Sequence, residues 1–118
     1  MNFEDKTHFK GKQQHLERFI QLLDEHEIEH LEFGMAHNSD GGGFFLQAVI
    51  TGLVSGSTAV ALNFILEKFK SENLNAKFRV TSKANGEIVV DIPSSEVIEN
   101  ALIIEFIDES ENGEKSTQ

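Results

Sequence analysis

The feature that most constrains this chain is the run from Phe44 to Leu66, 23 residues without a charge. At about 1.5 Å per residue such a run is long enough to cross a bilayer as a helix. Gly52 and Gly56 also stand at the small-xxx-small spacing of packed membrane helices. In a soluble domain the same residues would form a long buried helix. Gln47, Thr51, Ser55 and Thr58 share one stripe of a helical wheel, as expected where the edge of a buried helix meets solvent. Ala48, Gly52, Gly56 and Ala59 form a second stripe, on which backbone can approach backbone closely. The flank before Phe44 is acidic and glycine-rich and the nearest lysines follow Leu66, so a true span would have its C-terminal side in the cytoplasm. The preferred expectation is a central core helix; the alternative is a single-pass membrane protein spanning Phe44–Leu66.

The neighbouring segments favour the core helix, because each has an apolar face that needs cover. Leu16, Phe19, Ile20 and Leu23 recur at helical spacing between Lys12 and Glu25. Ile28 to Phe33 alternates as a strand does, with Leu31, Phe33 and Met35 on one side and Ile28, His30 and Glu32 on the other. Asn38 to Gly43 reads as a loop, and Ala59 to Lys70 as helix with Lys68 and Lys70 near its C-terminus. Asn85-Gly86 between two β-branched runs predicts a hairpin with a type I′ turn, whose Phe78, Val80, Ile88, Val90 and Ile92 share the face toward the helices. Ser94 or Ser95 caps a terminal helix, and Leu102 to Ile107 is either its continuation or a further strand.

At 118 residues the chain fits one domain. A net charge of -10 with no basic run excludes ordinary phosphate recognition, so no nucleic-acid partner is expected. The absence of cysteine removes disulfides and thiolate metal sites, and the first residues lack an apolar leader, so a cytoplasmic location is expected. Ten Phe with no Tyr or Trp supply apolar mass without polar handles, which assigns most of the rings to the core.

The sharpest chemical motif is His26-Glu27-Ile28-Glu29-His30, a literal H-E-x-x-H. On a helix the two imidazoles would share a face and grip zinc while Glu27 activated its water, with His37 as a further candidate ligand. Gly34 and His37 miss the longer metzincin spacing by one residue. On a strand the two rings would stand roughly 13 Å apart, too far to share an ion. Gly41-Gly42-Gly43 lacks a phosphate-loop pattern, and Asp40 would repel phosphate. Ser57 and Thr58 are nucleophiles in principle, but no base is placed beside them by sequence. Asp24, Glu25, Glu27, Glu29 and Glu32 form either a solvated acidic face or a docking patch for a basic partner.

The order of segments carries a resemblance. Leu16-Glu17-Arg18-Phe19-Ile20, a strand, the Gly41-Gly42-Gly43 lead-in, a small-residue-rich helix ending Leu66-Glu67-Lys68-Phe69-Lys70, Phe78-Arg79-Val80-Thr81 and Gly86-Glu87-Ile88-Val89-Val90-Asp91 follow one another. From Gln13 to Leu102 this resembles the effector-associated constant component domains of bacterial conflict systems. The resemblance implies a small non-catalytic module that links effector and signalling modules by homotypic or partner contacts, with no catalytic residues to carry over. An N-terminal strand expected of such a domain has only Phe3 and Phe9 to build it.

The expected fold is therefore α+β: a small sheet of three to four strands including the Asn85-Gly86 hairpin, covered on one face by a long apolar central helix and flanking helices. Residues 1–11 are an N-terminal segment with a possible strand, 12–107 the domain, and 108–118 an acidic disordered tail. The expected function is a protein-protein interaction or adaptor domain, acting on a protein partner or on itself, without cofactor. The alternative enzyme is a zinc hydrolase with Glu27 as base and His26, His30 and His37 as ligands.

Overall fold

The computed structural model describes residues 6–36, 44–52, 54 and 56–108. The elements run β1 (His8–Lys12), α1 (Gln13–Glu25), β2 (His30–Ala36), β3 (Phe44–Ile50), α2 (Ser57–Glu72), β4 (Ala76–Ser82), β5 (Gly86–Val90), α3 (Ser95–Asn100) and β6 (Ile103–Asp108). All six strands join one sheet in the order β2-β3-β1-β6-β4-β5. The α+β class is as expected, but the sheet has six strands where three to four were expected.

The larger sheet follows from how the uncharged run divides. Residues 44 to 50 form β3 and residues 57 to 72 form α2, so there is no single central helix. The two stripes drawn on one helical wheel are thereby split between a strand and a helix. β3 lies between β2 and β1 and is buried on both sides: Ala48 and Ile50 point toward the helices, while Val49 on the opposite face is only 1% exposed. A strand buried on both faces reads as a continuous apolar run without alternation, which is why its period is silent. Gly56, at φ 53° and ψ −122°, occupies a conformation open to glycine and caps the start of α2. No helix among the described residues is long and apolar enough to cross a membrane.

Strand directions fix where the helices lie. β1, β2, β5 and β6 run one way and β3 and β4 the other. Each helix therefore joins two parallel strands, α1 from β1 to β2, α2 from β3 to β4 and α3 from β5 to β6. The crossover by α2 reverses both strand direction and lateral direction relative to the other two. Under the right-handed rule all three helices then fall on the same face. Among the described residues the second face of the sheet carries no helix.

The core lies between that helix layer and the sheet. Phe106 on β6 is its hub, with ring centroids 5.1 Å from Phe19, 4.9 Å from Phe69 and 5.0 Å from Phe78, all edge to face. Phe9 stacks at 4.6 Å on Phe19, so five rings tie β1, α1, α2, β4 and β6 together. Gly11 on β1 makes room for them. A Cβ there would stand 3.0 Å from both Leu16 Cδ2 and Phe106 Cβ.

The local signals reproduce well. α1 begins at Gln13 and buries Leu16, Phe19, Ile20, Leu22 and Leu23. The Ser94 hydroxyl accepts from the Val97 N–H at 3.3 Å, capping α3 as expected of a serine. That helix is only six residues long, and the segment after it is strand β6. The β4–β5 hairpin forms with Phe78 opposite Val90 and Val80 opposite Ile88. Its turn differs from the expected type I′: Ser82 pairs with Gly86, leaving a connection of Lys83, Ala84 and Asn85, and the positive φ, 71°, falls on Gly86 at the start of β5. The N-terminal segment supplies β1, held at its start by the Thr7 hydroxyl donating to the Ala101 carbonyl at 2.9 Å. The expected glycine loop lies outside the described residues, and of the expected tail, 108–118, Asp108 is the last residue of β6 while 109–118 lie outside the described residues.

Candidate functional site

The residues at issue sit where α1 hands over to β2. The Glu27 N–H donates to the Asp24 carbonyl at 3.0 Å and the Ile28 N–H to the Leu23 carbonyl at 3.0 Å. Together these make a Schellman ending, with Glu27 in the left-handed position at φ 58°. Glycine is the usual residue there because a Cβ costs about 1–2 kcal/mol. The turn swings the chain from helix to sheet edge in four residues, 26 to 29.

That geometry separates the H-E-x-x-H motif. His26 caps α1 and stacks edge to face on Phe64 of α2, centroids 5.6 Å apart. His30 opens β2, its Nδ1 donating to the Ile28 carbonyl at 2.8 Å. Its Nε2 then faces Asp24 at 3.6 Å and Glu32 at 3.8 Å, with the side chain 8% exposed. The motif is thus not on a helix, and its histidines have different neighbours. Among the described residues no three His, Asp or Glu side chains converge tightly enough to hold a metal ion. His37 lies outside the described residues.

Two open depressions flank the turn. One, of about 480 Å³, is lined by Asp24, Glu27, Ile28, Glu29, His30 and Thr51. The other, of about 460 Å³, brings His26 and Glu29 round to Ser57 and Thr58 at the start of α2. Sequence alone placed no base near those hydroxyls. In the fold His26 shares their depression, but no hydrogen bond joins it to either among the described residues.

β2 itself is the more distinctive surface. It ends the sheet, with no strand beyond it among the described residues. Its register with β3 puts His30 and Glu32 on the helix side, and Leu31 and Phe33 on the helix-free face. Leu31 is 43% and Phe33 38% exposed there. The acidic series surrounds the edge, with Asp24, Glu25, Glu27, Glu29 and Glu32 all exposed. Between Arg18 and Lys68 the sequence contains no Lys or Arg at all. Lys6 approaches the margin of the depression, but its ammonium is given to the Thr51 carbonyl at 3.0 Å.

The alternation of Leu31 and Phe33 was legible in the sequence, whereas its direction was not. An alternating strand ordinarily turns its apolar side inward. Here the helix-side positions are polar: His30, with its side chain 8% exposed, and Glu32 at 55%. The cation-free stretch around β2 was the available signal that this corner differs from the rest of the surface. Compared with known proteins, the chain matches no protein-family model, no curated protein and no solved structure.

Proposed function

We propose that this chain is a non-catalytic protein-interaction domain of the adaptor kind, and that β2 is where it engages its partner. The observation that supports this is an edge strand with two large apolar side chains, Leu31 and Phe33, exposed on the face that no helix covers. Exposed edges with apolar side chains are usually blunted, since they invite pairing with another chain. An edge strand is the working surface of domains that recruit by strand addition, and among the described residues no strand pairs with the outer side of β2. The order of elements supports a role like that of the effector-associated constant component domains, coupling an effector to a signalling module.

The test is affinity capture from the cell that encodes the chain, with wild type beside Leu31→Asp/Phe33→Asp. Wild type should retain a reproducible partner, or itself, and the variant should lose it while keeping its circular dichroism spectrum. A monomer that retains the same set of proteins with and without the substitutions would overturn the reading.

A further inference from the structure

We propose that the β2 edge accepts an extended segment of a partner protein in which apolar residues alternate with Lys or Arg. This rests on the reading of the chain as an interaction domain and names the chemistry of its partner. Side chains in neighbouring strands of a sheet point to the same side when they stand opposite each other. An added strand would therefore set alternate residues beside Leu31 and Phe33 on the helix-free face, where apolar side chains extend the exposed surface. The residues between them would point to the helix side, beside His30 and Glu32.

On that side the added strand meets carboxylates. Asp24 and Glu32 flank His30, and Glu27 and Glu29 line the adjoining depression. Among the described residues no Lys or Arg forms an ion pair with them, and only Asp24 and Glu32 have the His30 imidazole within 4 Å. Lys or Arg at the intervening positions of the incoming strand would supply the ion-pair partners that these carboxylates lack among the described residues. The period of two in the partner is thus dictated by β2: apolar toward one face and basic toward the other.

A second copy of this chain fits less well. Pairing β2 with β2 about a two-fold axis sets the same surface against itself, so each acidic edge would face another. With a net charge of -10 per chain, that contact brings together what electrostatics keeps apart. The opposite edge, β5, is no substitute site for a basic segment, because the carboxylates beside it are already paired: Glu87 and Glu105 with Arg79, and Asp91 with Lys77.

The experiment uses the full chain and three fluorescent peptides as long as β2: alternating Val and Lys, the same composition with Val and Lys in separate blocks, and the alternating peptide N-methylated on one edge. Anisotropy should show the alternating peptide binding at least about tenfold more tightly than the block peptide, with affinity falling as salt rises. N-methylation, which removes the backbone donors of one edge, should abolish binding. Glu29→Lys/Glu32→Lys should weaken it about tenfold or more, and amide exchange should slow along β2. Equal affinity for alternating and block peptides, or protection confined to the Val60 and Phe64 surface of α2, overturns the proposal. So does concentration-dependent dimerisation abolished by Phe33→Asp, which would make the occupant a second copy. A cellular partner lost in Leu31→Asp/Phe33→Asp, combined with no binding of any basic peptide, overturns this chemistry while leaving the interaction domain standing.

Discussion

At the β5 edge, Arg79 on the adjoining strand reaches Glu105 at 3.2 Å and Glu87 at 3.8 Å, and Lys77 meets Asp91 at 3.6 Å. At the β2 edge, Asp24 and Glu32 flank the His30 imidazole, Glu27 and Glu29 line the adjoining depression, and among the described residues no lysine or arginine forms an ion pair with them. Both edges expose apolar side chains, Val89 at one and Leu31 and Phe33 at the other. What distinguishes them is charge closure. One edge pairs its carboxylates with arginine and lysine, and at the other, among the described residues, the carboxylates have only an imidazole beside them. Exposure alone would have ranked the two edges as equals.

The comparison holds only if both edges belong to one cooperative unit, which Phe106 tests. Phe106→Ala removes the ring shared by Phe19, Phe69 and Phe78 and should cost about 3–5 kcal/mol. Denaturant melting followed by amide exchange should show β2 and β5 lost in one transition. Two transitions would mean that each edge belongs to its own unit.

Glu27→Gly addresses the turn that delivers β2. Relieving the left-handed strain should stabilise the fold by about 0.5–1 kcal/mol, read as a raised denaturation midpoint. A loss of stability would show that the Glu27 side chain holds the corner rather than straining it.

The charge contrast itself predicts opposite signs. Arg79→Met leaves Glu105 and Glu87 uncompensated and should destabilise by about 0.5–1 kcal/mol, whereas Glu32→Gln relieves repulsion at β2 and should stabilise by a few tenths, about 0.2–0.5 kcal/mol. The same sign at both edges would remove the distinction drawn above. Raised salt should shrink both effects.

The smallest expected effect is a pH dependence away from both edges. His15 stacks edge to face on Phe69, centroids 5.6 Å apart. Burial pushes its pKa below the ordinary 6.5, Lys12 adds to the shift and Asp108 opposes it. The folded state then binds fewer protons there than the unfolded chain. Stability should fall as pH drops through the unfolded value of 6.5 toward the lower folded value, and His15→Gln should flatten that part of the profile. An unchanged profile would assign the acid sensitivity to other groups.

Several elements could be read from residues because their signals are local. α1 announces itself through Leu16, Phe19, Ile20 and Leu23, the hairpin through Asn85-Gly86, and α3 through Ser94. Each depends on contacts within a few residues, so no knowledge of the rest of the chain is needed. The acidic corner and the alternation of Leu31 and Phe33 were equally visible. Their meeting on an edge strand was not.

The sequence by itself determined the α+β class, one helix, one hairpin, one cap and the separation of apolar from charged segments. Only the tertiary structure decided that the uncharged run is a strand followed by a helix, because β3 is buried on both faces and so leaves no period to read. It also decided that β1 and β6 lie side by side in the middle of the sheet, a pairing between residues about as far apart in sequence as the domain allows. That pairing pushes β2 to one edge and β5 to the other. Which strand becomes an edge, and hence which surface stays open, is a property of long-range order that no window of the sequence contains.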